Sequence, residues 1–277
     1  MRFHWIDAND YTLEVFLLFD RWILGDRLRE AHSGWYRQET GRDYRRDWAM
    51  ALSRYPYVAR FCRRKAPECA GFLDSVAAVD VSRVTDADAR EAETAILDIF
   101  QTDVVYAYPE VMEQVNYIRC WNPERLYELA DFSGKVVLDV GAGTGRLAFA
   151  AAKLAKRVYA SEPCDTLREF MRDKIRREGV PNVRVLDGMV MDLPFEDNTF
   201  DVVTSGHVVG DDYGREIAEM SRVAKDGGYL VCCNGEDEVR REEPNGELLK
   251  RGFQYVRYET AEGGIVFNYW KQVCKEP

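Results

Sequence analysis

The chain has 277 residues, 46% of them hydrophobic and 31% charged, which excludes wholesale disorder and fits either two domains or one large α/β unit. Its 38 basic and 48 acidic side chains leave a net charge of −10, a field that disfavours nucleic acid and anionic lipid as partners. The seven cysteines form no CxxC pair and have no His at zinc-ligand spacing, and the N-terminus, MRFHWIDAND, carries acids where a signal peptide needs an apolar core; together these predict a cytoplasmic chain with free thiols, no metal and no membrane association.

Residues 1–120 hold only four of the 20 glycines and show helical apolar spacing, which predicts an all-helical region. Asp10 is placed to cap a helix with Leu13, Phe16, Leu17, Trp22, Ile23 and Leu24 on its apolar face, ending at Gly25 or Gly34. A second helix runs through Trp48, Ala51 and Leu52 and breaks at Pro56. Pro67 begins another, with Phe72, Leu73, Val76 and Val79 turned inward. Thr85 and Asp88 read as a capping box for a helix reaching about Gln101, and Pro109 and Asn122-Pro123 open two more. Trp22, Trp35 and Trp48 lie thirteen apart, a spacing that does not return to one helix face, so each is expected as a separate core anchor. Basic clusters (Arg42, Arg45, Arg46; Arg60, Arg63, Arg64, Lys65), the first interleaved with Asp43 and Asp47, read as solvated helix faces. The aromatic stretch from Tyr106 to Trp121 reads either as a pocket lining or as an interdomain core.

From Gly134 the pattern becomes alternating βαβα. Strands are predicted at Lys135–Val140, Arg157–Ser161, Val183–Leu186, Phe200–Ser205 and Tyr229–Cys233. Asp165 is expected to cap a helix running to Gly179, and a further helix is expected at Glu216–Val223. Gly252–Tyr258 and Ile265–Val273, separated by Glu259–Gly264, carry a hairpin signal. Such an order implies a mostly parallel sheet covered on both faces. The predicted division is 1–121, helical, and 122–277, α/β.

The strand Val136–Val140 runs into Gly141-Ala142-Gly143-Thr144-Gly145 and then a helix. Backbone N–H groups at such a turn, with the positive end of the helix, favour a carboxylate or phosphate. A dinucleotide fingerprint would need glycine at 146, where Arg146 stands, expected on the exposed side of the helix start. The run L-D-V-G-A-G-T-G instead resembles motif I of the class I S-adenosylmethionine-dependent methyltransferases. Further runs follow in order: Glu162 at the second strand end, Leu186-Asp187-Gly188-Met189, Asp192-Leu193-Pro194-Phe195 through Phe200-Asp201-Val202-Val203, and Arg222-Val223-Ala224-Lys225-Asp226-Gly227-Gly228. These resemble the small-molecule, quinone-biosynthesis-like branch of that family, over residues 134–273.

The resemblance implies a seven-stranded, mostly parallel Rossmann-like sheet beneath an N-terminal helical region that recognises the acceptor or acts as a lid. It implies S-adenosylmethionine as cofactor, with Asp139 beside the amino group, Gly141, Ala142, Gly143, Thr144 and Gly145 as the loop, and Glu162 on the ribose hydroxyls with Pro163 beside it. Asp187, Gly188 and Met189 would meet the adenine, and Ser205 would lie at the fourth strand end. Methyl transfer from a sulfonium needs alignment and water exclusion more than covalent help. His207, after the fourth strand, is the candidate general base, with a loop-packing or cofactor-shell histidine as the other reading. A small-molecule acceptor is expected, with protein as the macromolecular option. An NAD-dependent oxidoreductase and a non-catalytic methyltransferase-like module are the rival readings. Asp201 is expected to anchor a loop, and Cys232 and Cys233 to pack in the core.

Overall fold

Five strands of the second half are buried on both faces, and their alternating side chains feed two separate cores. Val137, Val158, Val183, Val202 and Val231 pack on one side with Leu147, Ala148, Ala151 and Met171. Leu138, Val140, Val203, Leu230 and Cys232 pack on the other with Ile217, Met220 and Val223. The structure, a computed structural model, describes residues 7–235, 241–261 and 263–275, so the first six residues of the N-terminal reading and part of the hairpin turn lie outside it. It divides into two compact units, Met1–Tyr108 and Pro109–Pro277.

In the second unit the strands are β1 (Val136–Val140), β2 (Arg157–Ser161), β3 (Val183–Leu186), β4 (Phe200–Ser205), β5 (Ala224–Cys232), β6 (Gln254–Glu259) and β7 (Ile265–Gln272). Their order is β3-β2-β1-β4-β5-β7-β6. β1 to β5 run parallel, β7 is antiparallel to β5, and β6 pairs with β7 as a hairpin. The expected seven-stranded Rossmann-like sheet is therefore present. β5 begins earlier than expected, because Ala224 pairs with Phe200 across a register shift before Val202. Asp201 anchors that corner, accepting from the Val136 N–H and from Lys225 Nζ, each at 2.8 Å.

The helices that position the site are Arg146–Ala152, Asp165–Glu178 and Tyr213–Val223. Asp165 is the first helical residue rather than the cap, since Cys164 holds the extended N-cap geometry. Residues Pro109–Met112 belong to this unit and not to the helical one. Glu113 pairs with Lys174 on the Asp165–Glu178 helix, which draws the division to Tyr108, ahead of residue 121.

The first unit is helical, with α-helices at Arg21–Arg27, Ser33–Thr40, Tyr44–Arg54, Pro56–Lys65, Ala70–Ala77 and Asp86–Ile99 among its elements. The Thr85–Asp88 capping box forms as expected. The helix expected from Asp10 does not: Leu13–Leu18 is a 3-10 segment, and Asp20 caps a separate helix through a 2.6 Å bond from the Trp22 N–H. The buried carboxylate of Glu93, 80 residues away, takes the Leu13 N–H at 2.6 Å and fixes that start. Trp48 is fully buried with its ring edge-on to Phe16, whereas Trp35 is 44% exposed, so the three tryptophans are not equivalent anchors. Arg63 pairs with Asp74 on an exposed face, as expected of a solvated cluster. The cluster around Arg42 departs from that expectation, because Arg42 reaches inward to Asp47, which is buried and also accepts the Tyr36 hydroxyl at 2.8 Å, as well as outward to Glu91. No described helix is long and apolar enough to cross a membrane.

Candidate functional site

β1 delivers its last residues into a turn whose backbone only glycine adopts easily. Gly141 has φ +61° and Gly145 φ +91°, both in the left-handed region. A Cβ on Gly141 would stand 2.3 Å from Val208 Cγ2, and one on Gly145 2.6 Å from the Phe149 ring. Packing closes the space at these two glycines. Gly143 differs: a Cβ there would meet only Met112 Sδ at 3.9 Å, so its surface is open to a ligand.

Glu162, at the end of β2 and buried, braces this loop. One carboxylate oxygen accepts the Gly143 N–H and the other the Cys164 N–H, both at 2.9 Å. A buried carboxylate at this strand end is the group that suits a pair of ligand hydroxyls. The Ala142 N–H reaches the Ser161 carbonyl at 3.1 Å, tying the loop to β2, and Pro163 continues the turn to Cys164. Ser161 Oγ in turn donates to the Gly188 carbonyl at 3.1 Å. Asp187 is well exposed beside Arg168 at 3.3 Å, and Met189 forms an isolated bridge with Asp192. The chain thus brings the glycine loop, Glu162 and Asp187–Met189 into one continuous rim over β1, β2 and β3.

Asp139 lies beneath the loop, fully enclosed. Its Oδ1 accepts from Thr204 Oγ1 at 3.1 Å, while Oδ2 has no partner. Burial pushes the carboxyl up to about 7, against the opposing pull of Thr204 and the Arg146 cation. Thr144 Oγ1, Trp121 Nε1 and Arg146 Nη1 are also buried without partners. Six such side-chain atoms occur among the described residues, and these four lie on or against the segment Asp139–Arg146. Buried polar groups left unpaired in one place are what a missing polar ligand leaves behind. An amino acid end offers an ammonium for Asp139 and a carboxylate for the loop and Arg146, so these residues fit S-adenosylmethionine.

Arg146 was expected outside and is found inside. Its guanidinium lies 4.6 Å over the Trp121 ring and donates from Nη2 to the Cys233 carbonyl at 2.9 Å. The positive φ of Gly145 sets the helix start so that this side chain turns over the sheet end. Trp121, Tyr117 and Met112 are further residues that the motif reading left without a role; the aromatic run was the signal for the first two.

The other side of the rim is a cleft of about 500 Å³ over the ends of β4, β5 and β7. Ser205, buried at the end of β4, and His207 line it. His207 stands at φ +61°, rare for a non-glycine residue, and its Nε2 accepts the Gly235 N–H at 2.8 Å. Its ring meets Tyr117 edge-on at 5.2 Å. The ring is exposed on the cleft side, and packing on its protein side together with the nearby Arg146 and Arg241 cations lowers its pKa below the ordinary histidine value. Cys232 and Cys233 are core residues, and burial raises both thiols.

A sheet ordered 3-2-1-4-5-7-6 with its last strand antiparallel, a glycine loop after β1 and an acid after β2 defines the class I S-adenosylmethionine-dependent methyltransferase fold. Residues 138–232 match the family model described as a methyltransferase domain. The chain is 30% identical over 152 residues to the demethylmenaquinone methyltransferase of Shouchella clausii, covering 52% of this chain and 64% of that protein. It is 36% identical over 120 residues to the one from Thermobifida fusca, covering 42% and 50%. It spans less than two thirds of the length of these relatives. A candidate S-adenosyl-L-methionine-dependent methyltransferase from Methanococcus maripaludis shares the fold, with a TM-score of 0.50 at 17% identity, covering 62% of this chain and 93% of that one. Residues 138–232 are thus similar in sequence to methyltransferase domains, among them those of demethylmenaquinone methyltransferases, and the second unit has the class I S-adenosylmethionine-dependent methyltransferase fold.

Proposed function

We propose that the chain transfers the methyl group of S-adenosylmethionine to a small-molecule acceptor. The observation that carries this reading is the gathering of unpaired buried polar atoms around a glycine loop braced by Glu162, beside an open cleft. When bound, the cofactor supplies a methyl group already activated by its sulfonium charge. The chain's own part is to hold, align and exclude water. Asp139 and the loop Gly141–Gly145, with Arg146, take the amino acid end. Glu162, flanked by Pro163, takes the ribose hydroxyls, and Asp187, Gly188 and Met189 take the adenine. Ser205 and His207 face the acceptor. The helical unit that ends at Tyr108 carries acceptor selection on the same reading. The names of the relatives make a quinone-like molecule the first acceptor to test.

Calorimetry with S-adenosylhomocysteine tests the binding half: saturable heat is expected, abolished by Gly143→Asp. Labelled methyl transfer to a short-chain demethylmenaquinone and to small-molecule extracts tests the catalytic half. No heat with the wild-type chain sinks the cofactor reading. Binding without transfer to any of these acceptors sinks the catalytic one.

A further inference from the structure

The histidine at the cleft is placed as a donor, not as a base. Nε2 of His207 is engaged by the Gly235 N–H at 2.8 Å, so the lone pair a base would use there is taken. A neutral imidazole that accepts at one nitrogen carries its proton on the other. Nδ1 hydrogen-bonds no described residue, and the ring opens on the cleft. The charged groups that bear on the ring are both cations, Arg146 at the start of its helix and Arg241 on the cleft wall, and Tyr117 covers it edge-on. Both cations oppose imidazolium, and the crowding around the ring acts the same way, so the ring remains neutral at physiological pH.

The walls around this donor are polar. Ser205, Asn234, Arg241, Glu243, Asn245 and Tyr269 contribute most of them. The Tyr269 oxygen accepts the Asn245 N–H at 2.8 Å, which leaves its own O–H to donate elsewhere. Two neutral donors, the His207 ring N–H and the Tyr269 O–H, in a mostly polar wall favour a ligand that offers acceptor oxygen over an apolar tail.

Building on the methyltransferase reading above, we infer that His207 is a fixed hydrogen-bond donor, through Nδ1–H, to an oxygen of the methyl acceptor, and that this acceptor is a compact polar molecule bearing a carboxylate or carbonyl. His207 then orients the acceptor and takes no proton from it. The left-handed backbone at this position, with the Gly235 bond, keeps the donor aimed without help from the ligand.

The chain has three histidines, so nitrogen-15 histidine NMR of the full chain, with His207→Asn identifying the signal, reads the tautomer directly. The expected result is an Nδ1-protonated ring that does not titrate between about pH 5 and 8. An Nε2-protonated ring, or a midpoint near the ordinary histidine value, overturns the inference. Benzoate, titrated in the presence of S-adenosylhomocysteine, serves as the oxygen probe and should shift the Nδ1–H signal saturably. His207→Ala should weaken benzoate by about tenfold or more, the loss of one good hydrogen bond. His207→Asn should stay within about threefold, because the Asn amide can donate from the Nδ1 position and Asn tolerates positive φ. No saturable shift, or equal binding by wild type and His207→Ala, overturns the assignment. Calorimetry with S-adenosylhomocysteine alone reports separately on the cofactor reading. A failure there, with the tautomer and benzoate results intact, strikes that reading and not this one.

Discussion

Replacing Gly141 by alanine adds one methyl group where the fold has no room, and its cost has two separable parts. The backbone stands at φ +61°, where an L side chain costs roughly 1–2 kcal/mol. The new Cβ would lie 2.3 Å from Val208 Cγ2, far inside the usual 3.5–4.0 Å carbon contact, and overpacking of this kind costs about 1–3 kcal/mol. Gly141→Ala should therefore destabilise the domain by about 2–5 kcal/mol. Val208→Ala deletes both offending methyl groups but leaves the dihedral unchanged. In the Val208→Ala background the same glycine substitution should cost only about 1–2 kcal/mol, the backbone share. Urea unfolding of the four proteins of this double-mutant cycle measures the coupling. Additivity within about 0.5 kcal/mol, or a single-mutant cost below about 1 kcal/mol, refutes the account of the loop as closed at Gly141 by Val208.

Glu162→Ala leaves the Gly143 and Cys164 N–H groups without their carboxylate; with charge-assisted bonds at about 1.5–3 kcal/mol each, unfolding should shift by roughly 3 kcal/mol and S-adenosylhomocysteine affinity should fall at least tenfold by calorimetry. Unchanged affinity would remove Glu162 from the site. Asp139 has a folded pKa raised to about 7 from an unfolded value near 3.8, so its protonated form stabilises the fold. That contribution is complete below about pH 4 and lost as pH rises through about 7, a swing on the order of 4 kcal/mol. Asp139→Asn should remove the swing from the stability-versus-pH curve of the ligand-free protein; a curve parallel to wild type would show the carboxyl to be unshifted. Arg146→Ala forfeits the stacking on Trp121 and the bond to Cys233, a loss of about 2–4 kcal/mol in denaturant unfolding, and Arg146→Lys should recover less than half of it. A change under about 1 kcal/mol would mean that the buried guanidinium contributes little.

The parallel strands were the most legible part of the chain. β2, β3 and β4 fall on the residues expected, because a strand buried on both faces is a short apolar run bounded by glycine, proline or charge. The start of β5 is hidden in the sequence because Lys225-Asp226-Gly227-Gly228 has turn composition; its corner is held by Asp201 on Lys225, a contact between strands. The helical half was harder. Whether Leu13–Leu18 continues as an α-helix is decided by Glu93, 80 positions away, and no local pattern carries that information. In the site, the residue types of motif I and the acid after β2 were visible because backbone geometry demands them. The inward turn of Arg146 was not, since a charged residue at a helix start reads as exposed until its partner, Trp121, is brought above it. The same holds for His207, whose Gly235 bond joins the ends of neighbouring strands and alters what its ring can do.

The place of β7 in the sheet has a consequence for biosynthesis. Ile265–Gln272 sits between β5 and β6, and among the described residues β6 pairs with no other strand. While the ribosome is still working towards residue 265, the outer edge of β5 is an open row of backbone donors and acceptors, and the finished β6 has nothing to join. Folding of this half must therefore wait for nearly the whole of it to emerge, and a nascent chain stalled before β7 exposes an apolar parallel sheet to its neighbours. Chaperone demand and loss to aggregation should rise sharply for truncations within 265–272, and much less for changes at the opposite edge, where β3 closes the sheet on its own.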